Sequence, residues 1–493
     1  MTDELDALAA QVLAQYQGTE HAALQGLIVA LLDLVDTLTA EVAELKAAAG
    51  RHSGNSSKAP SGDTLAQRQA QKARRQEWMN KGKPKRPKGK QPGAPGAHLA
   101  QVGQPDVVVP YPPGVCTSCG RSLDGAEVVA TETRQVFDIP TPKIVVTAHV
   151  VEARRCACGC VSTGEFPPEA SAPAVFGPVV SGVGAYLLAY QHLPVARTAE
   201  ALADLVGMEV STGWVSGLLP KARALLEHFL VDLRYRLMAS PVMANDETGA
   251  RIAGERFWFH GATTEALTLI TCHRRRGRLG MEEAGVLPGY RGISVHDRYG
   301  QYWLFACEHA ACHAHLIRDL AAVAERSSQE PWAEAMAKLL LGAKDKADRA
   351  REAGKASLSR GQRKRISQAY DDIVIQAVRA NPDPWLLGRE ERTQAERDSW
   401  NLALAFGELK DDILRFCSNL AVWFTSNLAE RGFRMVKIHQ KISGCFRSSE
   451  GAEAFCATWS YLSTARKHGQ NPLGVLVSAF KGRPWAIPDA APA

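Results

Sequence analysis

At 493 residues the chain is too long for one ordinary core, so we expect about three or four structural units. Its 45% hydrophobic and 22% charged residues are typical of a globular protein. The chain has no apolar run of about 18 residues and no basic N-terminal region. We therefore expect neither a membrane protein nor a secreted one. The net charge is +6, but residues 51–100 carry twelve Lys or Arg and two acids, so this stretch is +10 and the rest is −4. Such a concentrated cationic stretch predicts a polyanionic partner.

Residues 1–50 are predicted to form a helix with a heptad seam. The apolar residues alternate between spacings of four and three, and Gly50 ends the pattern: Leu24, Ile28, Leu31, Val35, Leu38, Val42 and Leu45. We expect a coiled-coil helix through which the chain forms a homo-oligomer. The alternative is one amphipathic helix packed on its own domain.

Residues 51–100 are predicted to be a basic, disordered linker, because Ser, Gly, Pro and Lys dominate and few large apolar side chains could be buried. We expect its cationic side chains to contact the phosphate backbone of DNA, although a solvated linker that binds nothing is the alternative. The candidate contacts are Lys81, Lys83, Lys85, Arg86, Lys88 and Lys90.

Five of the eleven cysteines crowd into residues 116–160, which favours metal ligation in a cytoplasmic chain over disulfides. Cys116 and Cys119 stand in a Cys-x-x-Cys-Gly turn, where glycine admits the left-handed backbone that lets two thiolates face one ion. We expect Cys156 and Cys158 to complete a four-thiolate zinc site, with Cys160 as the competing ligand. Strand-like runs such as residues 145–151 separate the turns, and the predicted zinc-binding domain spans residues 101–170.

Residues 171–238 are predicted to be a helical domain containing a helix-turn-helix-like pair. Residues 199–206 form the first predicted helix, Gly207 the turn, and Ser211 with Thr212 the start of the second. This spacing places Ser211 and Thr212 as candidate DNA contacts. An ordinary helical hairpin is the alternative.

From residue 239 to 325 the pattern becomes strand-rich. Three predicted strands (242–252, 256–261 and 266–272), a short helix (281–286) and a fourth strand (292–297) follow one another, and a fifth strand is predicted at 302–307. This order is that of a ribonuclease-H-like fold, which presents acids from its first and fourth strands, here Asp246 and Asp297. Two such carboxylates can share Mg²⁺ or Mn²⁺ ions that clamp a phosphodiester.

A third acid is expected from a late helix in residues 419–470. Glu430 supplies it, and Arg431 and Arg434 are available for phosphate. Residues 326–418 are predicted to be a mostly helical insertion that grips DNA or a second protomer, or that is simply solvated. Residues 471–493 form the C-terminal tail.

These elements predict a multidomain α+β protein. A ribonuclease-H-like α/β catalytic core with a helical insertion follows a coiled-coil helix, a small zinc-binding domain and a helix-turn-helix-like helical region. Asp246, Asp297 and Glu430 are both the predicted catalytic residues and the predicted magnesium ligands. Cys312 and His315, three residues apart on a predicted helix, belong to the core or orient the active site, with metal binding as the alternative.

The chain resembles transposases of the insertion sequence 66 family over nearly its whole length. The resemblance is carried by the heptad helix, the basic Gly/Pro stretch and the cysteine turns. It also includes several ordered motifs: residues 55–63, 91–96, 246–248, 312–315, 427–431, 447–452 and 461–469.

This resemblance implies an Asp-Asp-Glu transposase that recognises terminal inverted repeats, cleaves DNA and joins the ends to target DNA. It also implies structural zinc, active-site Mg²⁺ or Mn²⁺, and double-stranded DNA as the partner, with helper proteins of the same element as further partners. We expect no membrane association and a nucleoid-associated, cytoplasmic location. Two rival functions share most of these features: a catalytically silent DNA-binding regulator, and a structure-specific nuclease on the same fold.

Overall fold

The computed structural model describes residues 63–80, 99–139, 142, 144–326, 331–387 and 391–489. The predicted coiled-coil helix of residues 1–50 lies outside these ranges, as do Lys81, Lys83, Lys85, Arg86, Lys88 and Lys90. Within the predicted disordered linker, residues Leu65–Asn80 form helix α1, so that prediction is wrong for this part. The physical reason is composition: this stretch contains no Gly or Pro and is rich in Ala, Gln and Arg, which are good helix formers.

The cysteine-rich segment contains one small antiparallel hairpin, β1 (Ala153–Arg155) with β2 (Val161–Thr163). Residues 145–151, predicted as a strand, form no regular strand. Val145 and Val146 are more than four-fifths exposed, so their high β-propensity is not supported by a partner strand or a packed face.

The next unit consists of four consecutive helices: α2 (Pro178–Ala189), α3 (Val195–Val206), α4 (Thr212–Leu225) and α5 (Glu227–Met238). The predicted turn between the helix pair is confirmed. Gly207 ends α3 with a left-handed φ of 67°. The Ser211 hydroxyl caps α4 by accepting the Trp214 N–H at 3.1 Å.

A five-stranded sheet follows, with the strand order β5-β4-β3-β6-β7. Its strands are β3 (Val242–Ile252), β4 (Glu255–Thr263), β5 (Thr268–His273), β6 (Ile293–His296) and β7 (Glu308–Ala311). Strands β3 to β5 are antiparallel, whereas β6 is parallel to β3 and β7 to β6. A short helix, α6 (Arg278–Glu283), lies between β5 and β6, as predicted.

The predicted fifth strand at residues 302–307 is wrong, because Tyr302–Leu304 is a 3₁₀ turn and β7 begins only at Glu308. Tyr302 and Phe305 are both buried and stand three residues apart. That spacing places both side chains on one side of a 3₁₀ turn, whereas in a strand they would point to opposite faces.

The predicted insertion is helical in the described residues. After α7 (His313–Arg326) come α8 (Pro331–Glu352), α9 (Arg360–Arg379), α10 (Gln394–Glu408) and α11 (Lys410–Ser418). Capping boxes at Ser359 and Thr393 fix where α9 and α10 begin. These helices form their own core and also cover the β6–β7 side of the sheet.

Residues 419–470, predicted as one core helix with the third acid, contain two helices. They are α12 (Asn427–Ser443) and α13 (Ser449–Lys467), and α14 (Pro472–Phe480) follows. Gly444 separates the first two, because its φ of 78° turns the chain out of the helix. No described helix has both the length and the apolar character needed to span a bilayer.

Helix α13 covers the free edge of β5 with hydroxyl groups. Ser460 Oγ accepts the Ile270 N–H at 2.9 Å, and Thr464 Oγ1 accepts the Thr268 N–H at 3.1 Å. The spacing of four residues on the helix matches two residues on the strand, since each spans roughly 6–7 Å. These hydroxyls give the backbone N–H groups at the edge of β5 hydrogen-bond partners without another strand.

Helix α12 packs closely on the sheet at Gly261 of β4. A Cβ atom at this position would lie 2.6 Å from Cζ of Phe433, a buried residue of α12. Gly261 is also the ladder partner of Asp246. The missing side chain therefore lets α12 sit against the middle of β3 and β4.

Replacing Thr464 with Val should lower the free energy of unfolding by ~1–3 kcal/mol, because the N–H and C=O of buried Thr268 lose their partner. The matched control is Thr458→Val in the same helix, where the hydroxyl only bonds the Ala454 carbonyl within the helix. Both threonines are fully buried. Equal urea midpoints for the two variants would contradict this account of the sheet edge.

Gly261→Ala should destabilise the protein by about 1–3 kcal/mol through the clash with Phe433. Phe433→Leu added to it should restore part of the loss, which a double-mutant cycle in urea measures. Gly432→Ala is the control, since its Cβ would meet Ile270 Cδ1 at 3.6 Å and Thr268 Cγ2 at 3.9 Å, both ordinary contact distances. A purely additive cycle would argue against the close approach.

Candidate active site

The three predicted acids lie on elements that meet at one side of the sheet. Asp246 is in the middle of β3, and Asp297 directly follows β6, the parallel neighbour of β3. Glu430 is in the first turn of α12, which packs on β3 and β4. Because β3 and β6 are parallel, both aspartates lie toward the same end of this strand pair.

The pKa of Asp246 is affected by the charges of both other predicted acids. Burial raises its pKa well above the usual value, and the carboxylates of Glu247, Asp297 and Glu430 raise it further, while His315 opposes them. The three predicted acids therefore share one neighbourhood. Asp246 and Asp297 are partly buried, whereas Glu430 is exposed.

The acids approach one another without closing on a common point. Within the described ranges, no three Asp, Glu, His or Cys side chains lie close enough to hold one metal ion. The donor set still suits Mg²⁺ or Mn²⁺, which prefer carboxylate oxygens and retain water ligands. A divalent cation would also relieve the crowding of negative charge that raises the pKa of Asp246.

Backbone N–H groups fix one oxygen of each aspartate. The Glu247 N–H donates to Asp246 Oδ1 at 2.9 Å, and the Tyr299 N–H donates to Asp297 Oδ1, also at 2.9 Å. Each carboxylate is therefore oriented by the chain that follows it.

Sequence reasoning missed a polar cluster beside the acids. The Glu247 side chain is only 1% exposed and accepts hydrogen bonds from Arg276 and Tyr302. Burial raises the pKa of Glu247, the Asp297 carboxylate adds to the rise, and both donors lower it. The sequence does show an acid in β3 and a basic run at residues 274–276 after β5. It does not show that the two are in contact, because only the fold brings them together.

Cys312 connects the elements that carry the second and third acids. Its backbone N–H donates to the His296 carbonyl at 2.7 Å, and its sulfur accepts the N–H of Ser426, the N-cap residue of α12, at 3.2 Å. His315 lies beside the thiol. Burial alone would lower the pKa of His315, but the hydrogen bond and charge of Cys312 raise it to about 9. Among the described residues no further ligand completes a metal site with this pair, so a positioning role fits it better.

The candidate DNA-contacting residues differ in whether their side chains are exposed and whether they already make hydrogen bonds. Arg431 and Arg434 are exposed on α12 beside Glu430. Ser211 and Thr212 are also exposed, but the Ser211 hydroxyl is already engaged as the cap of α4. The lysines and arginine of the basic run 81–90 lie outside the described residues.

The predicted zinc ligands form two separate turns. Gly120 and Gly159 both have left-handed backbones, with φ of 72° and 91°. Backbone N–H groups and neighbouring thiols lower the pKa of Cys116 and Cys158, which favours the thiolate form that zinc binds. Across the described residues the two turns do not converge into one cluster of ligands. Exposed valines surround them, so apolar packing does not hold the turns together.

Comparisons with known proteins match three parts of the chain. A family model described as a zinc-finger binding domain of IS66 transposases matches residues 113–159, which supports zinc binding by this segment. A model described as a family of unknown function matches residues 2–100. No curated protein matches the chain.

The remaining match covers the helical unit, the sheet, the insertion and α12, together with the beginning of α13. It is to the model described as the IS66 family of transposases, and it spans residues 175–454, more than half of the chain. Asp246, Asp297 and Glu430 all fall inside this range. The chain therefore belongs to the IS66 family of transposases, enzymes that act on DNA.

Proposed function

We propose that this transposase cleaves DNA at the ends of its insertion sequence and joins those ends to target DNA, using Asp246, Asp297 and Glu430 in a metal-dependent reaction. The observation that carries the proposal is the packing of three separate elements, β3, β6 and α12, which brings Asp297 and Glu430 near enough to Asp246 for their charges to raise its pKa. The strand order β5-β4-β3-β6-β7, with two acids on the adjacent β3 and β6, supports a ribonuclease-H-like core.

In this proposal the carboxylates hold metal and form no covalent intermediate. Bound Mg²⁺ or Mn²⁺ would activate water, and later a DNA 3′-hydroxyl, for attack on phosphorus and would stabilise the departing oxyanion. Asp246 and Asp297 each present a carboxylate that the backbone has already oriented, which lowers the cost of organising the site. Glu430 is brought in by α12.

The DNA backbone is proposed to lie along α12. Arg431 and Arg434 are exposed next to Glu430, and Arg434 is one helical turn away on the same face. Phosphate contacts there would place the scissile strand at the acids, and the basic run 81–90 would add salt-dependent affinity. The helix pair α3–α4 remains a candidate for recognising the terminal inverted repeats.

The assembly around the core is also part of the proposal. We expect a homo-oligomer formed through the heptad helix of residues 1–50. The protein should bind nucleoid DNA in the cytoplasm, with helper proteins of the same element as further partners. Joining of cut ends to target DNA distinguishes this function from that of a structure-specific nuclease.

Zinc is proposed to bind Cys116, Cys119, Cys156 and Cys158. Each pair stands at a turn with a left-handed glycine, a geometry that lets both sulfurs of a pair face one ion. Four Zn–S bonds would join two turns that are otherwise held by little packing, so metal binding and folding of residues 101–170 should be coupled.

Asp246→Asn and Asp297→Asn should each reduce Mg²⁺-dependent cleavage of the element's ends by about a hundredfold or more, since each removes a metal-binding charge. Gel-shift affinity for the same DNA should change little. Asp371→Asn, at a surface pair with Lys410 in the insertion, is the control and should cleave normally. Cleavage that survives in either active-site variant would exclude this assignment.

Purified full-length protein should contain one zinc ion per chain by elemental analysis. Cys158→Ser should lose it, because the four-thiolate site loses a ligand, and Cys160→Ser should keep it as the matched control. Retention of zinc by Cys158→Ser, or its loss only in Cys160→Ser, would show that the ligand choice is wrong.

A further inference from the structure

The backbone ladder between β3 and β6 ends before it reaches the acids. Its last pair is Ala244 with Val295, and Asp246 and Asp297 each lie two residues farther along the chain. One side-chain hydrogen bond, from Ser294 Oγ to Asn245 Oδ1 at 2.9 Å, extends the contact slightly. Beyond that point, ladder hydrogen bonds between these two strands do not set the separation of the two carboxylates.

Glu247 bridges this gap from β3. Its Oε2 accepts the hydroxyl of Tyr302 at 2.5 Å, and its Oε1 accepts Nε and Nη2 of Arg276 at 2.9 and 2.7 Å. Tyr302 is buried in the 3₁₀ turn that follows Asp297. The carboxylate therefore ties the strand of the first acid to the segment of the second.

Arg276 makes a second connection to the same segment. Its guanidinium lies 4.0 Å from the ring centre of Tyr299 and 4.9 Å from that of Trp258, so two aromatic rings hold it while Glu247 accepts its hydrogen bonds. The backbone N–H of Tyr299 is the group that orients Asp297. A continuous set of contacts thus runs from Glu247 through Arg276 and Tyr299 to Asp297.

We propose that Glu247 is a positioning residue that sets the separation of Asp246 and Asp297 through Tyr302 and Arg276, and that it does not itself bind the metal. Both of its oxygens already accept strong donors, and its side chain is 1% exposed. The inference rests on the proposed metal-dependent function and adds residues for which sequence reasoning gave no role.

Tyr302→Phe tests this directly, because it removes one of Glu247's donors and leaves every carboxylate in place. Titration calorimetry of the full chain with Mn²⁺ should give a dissociation constant about 10-fold or more higher, as is typical when a partner of a metal site is lost. The rate of cleavage at saturating Mn²⁺ should recover to within a few-fold of wild type. The substitution should therefore raise the KM for Mn²⁺ and leave kcat nearly unchanged. Tyr370→Phe, which removes a buried tyrosine hydrogen bond to Phe406 in the insertion, is the matched control and should bind Mn²⁺ normally.

Arg276→Lys provides a second variant, which keeps the positive charge and loses the planar fork. Because Arg276 is 40% exposed, the protein should fold normally with this substitution. It should weaken Mn²⁺ binding in the same direction. Mn²⁺ affinities within twofold of wild type for both variants would overturn the inference. Absence of Asp246-dependent Mn²⁺ binding in the wild-type protein would instead overturn the proposed function, and the inference with it.

Discussion

Carboxylates crowded at the end of one parallel strand pair repel one another, and the core has to hold them together against that repulsion. Asp246, Glu247, Asp297 and Glu430 all contribute to the charge at this point, and burial strengthens their repulsion because little water screens it. Glu247 has Arg276 and Tyr302 as partners, whereas the charge of Asp246 is opposed mainly by His315. A divalent cation is the counter-charge that such an arrangement suits, and the proposed chemistry follows from it.

Three features of the fold keep the acid-bearing elements in place. The side chain of Glu247 joins β3 to the segment after Asp297, where the backbone ladder has already ended. Cys312 joins β6 to the first turn of α12 through one backbone and one thiol hydrogen bond. Gly261 lets the ring of Phe433 reach the sheet, which brings α12 and Glu430 toward Asp246. None of these contacts is made by the side chains of the three proposed catalytic acids, and each can be changed without replacing Asp246, Asp297 or Glu430.

Local pattern was sufficient to predict much of this architecture. The strand-like runs 242–252 and 256–261 identified β3 and β4, and Gly207 with Ser211 marked the break between α3 and α4. The errors arose where tertiary contacts decide the outcome. Tyr302 has the β-propensity of a strand residue, yet its burial beside Glu247 fixes it in a 3₁₀ turn. The partners of Glu247 lie 29 and 55 positions away in the chain, so no local pattern could have predicted the cluster. The cysteine turns were recognisable from spacing, but no local pattern determines whether they converge, and in the proposed site metal–sulfur bonds would join them.

We propose that Asp246 and Asp297 bind the same divalent cation or an adjacent pair of them. Anomalous diffraction from crystals of the protein with Mn²⁺ and a DNA end tests it most directly, because it locates the metal independently of any activity. We predict manganese peaks with oxygens of both aspartates at about 2.1 Å, the distance typical of magnesium-type ligation, and with Glu247 outside that distance. Manganese ordered elsewhere, with neither aspartate as a ligand, would contradict the account.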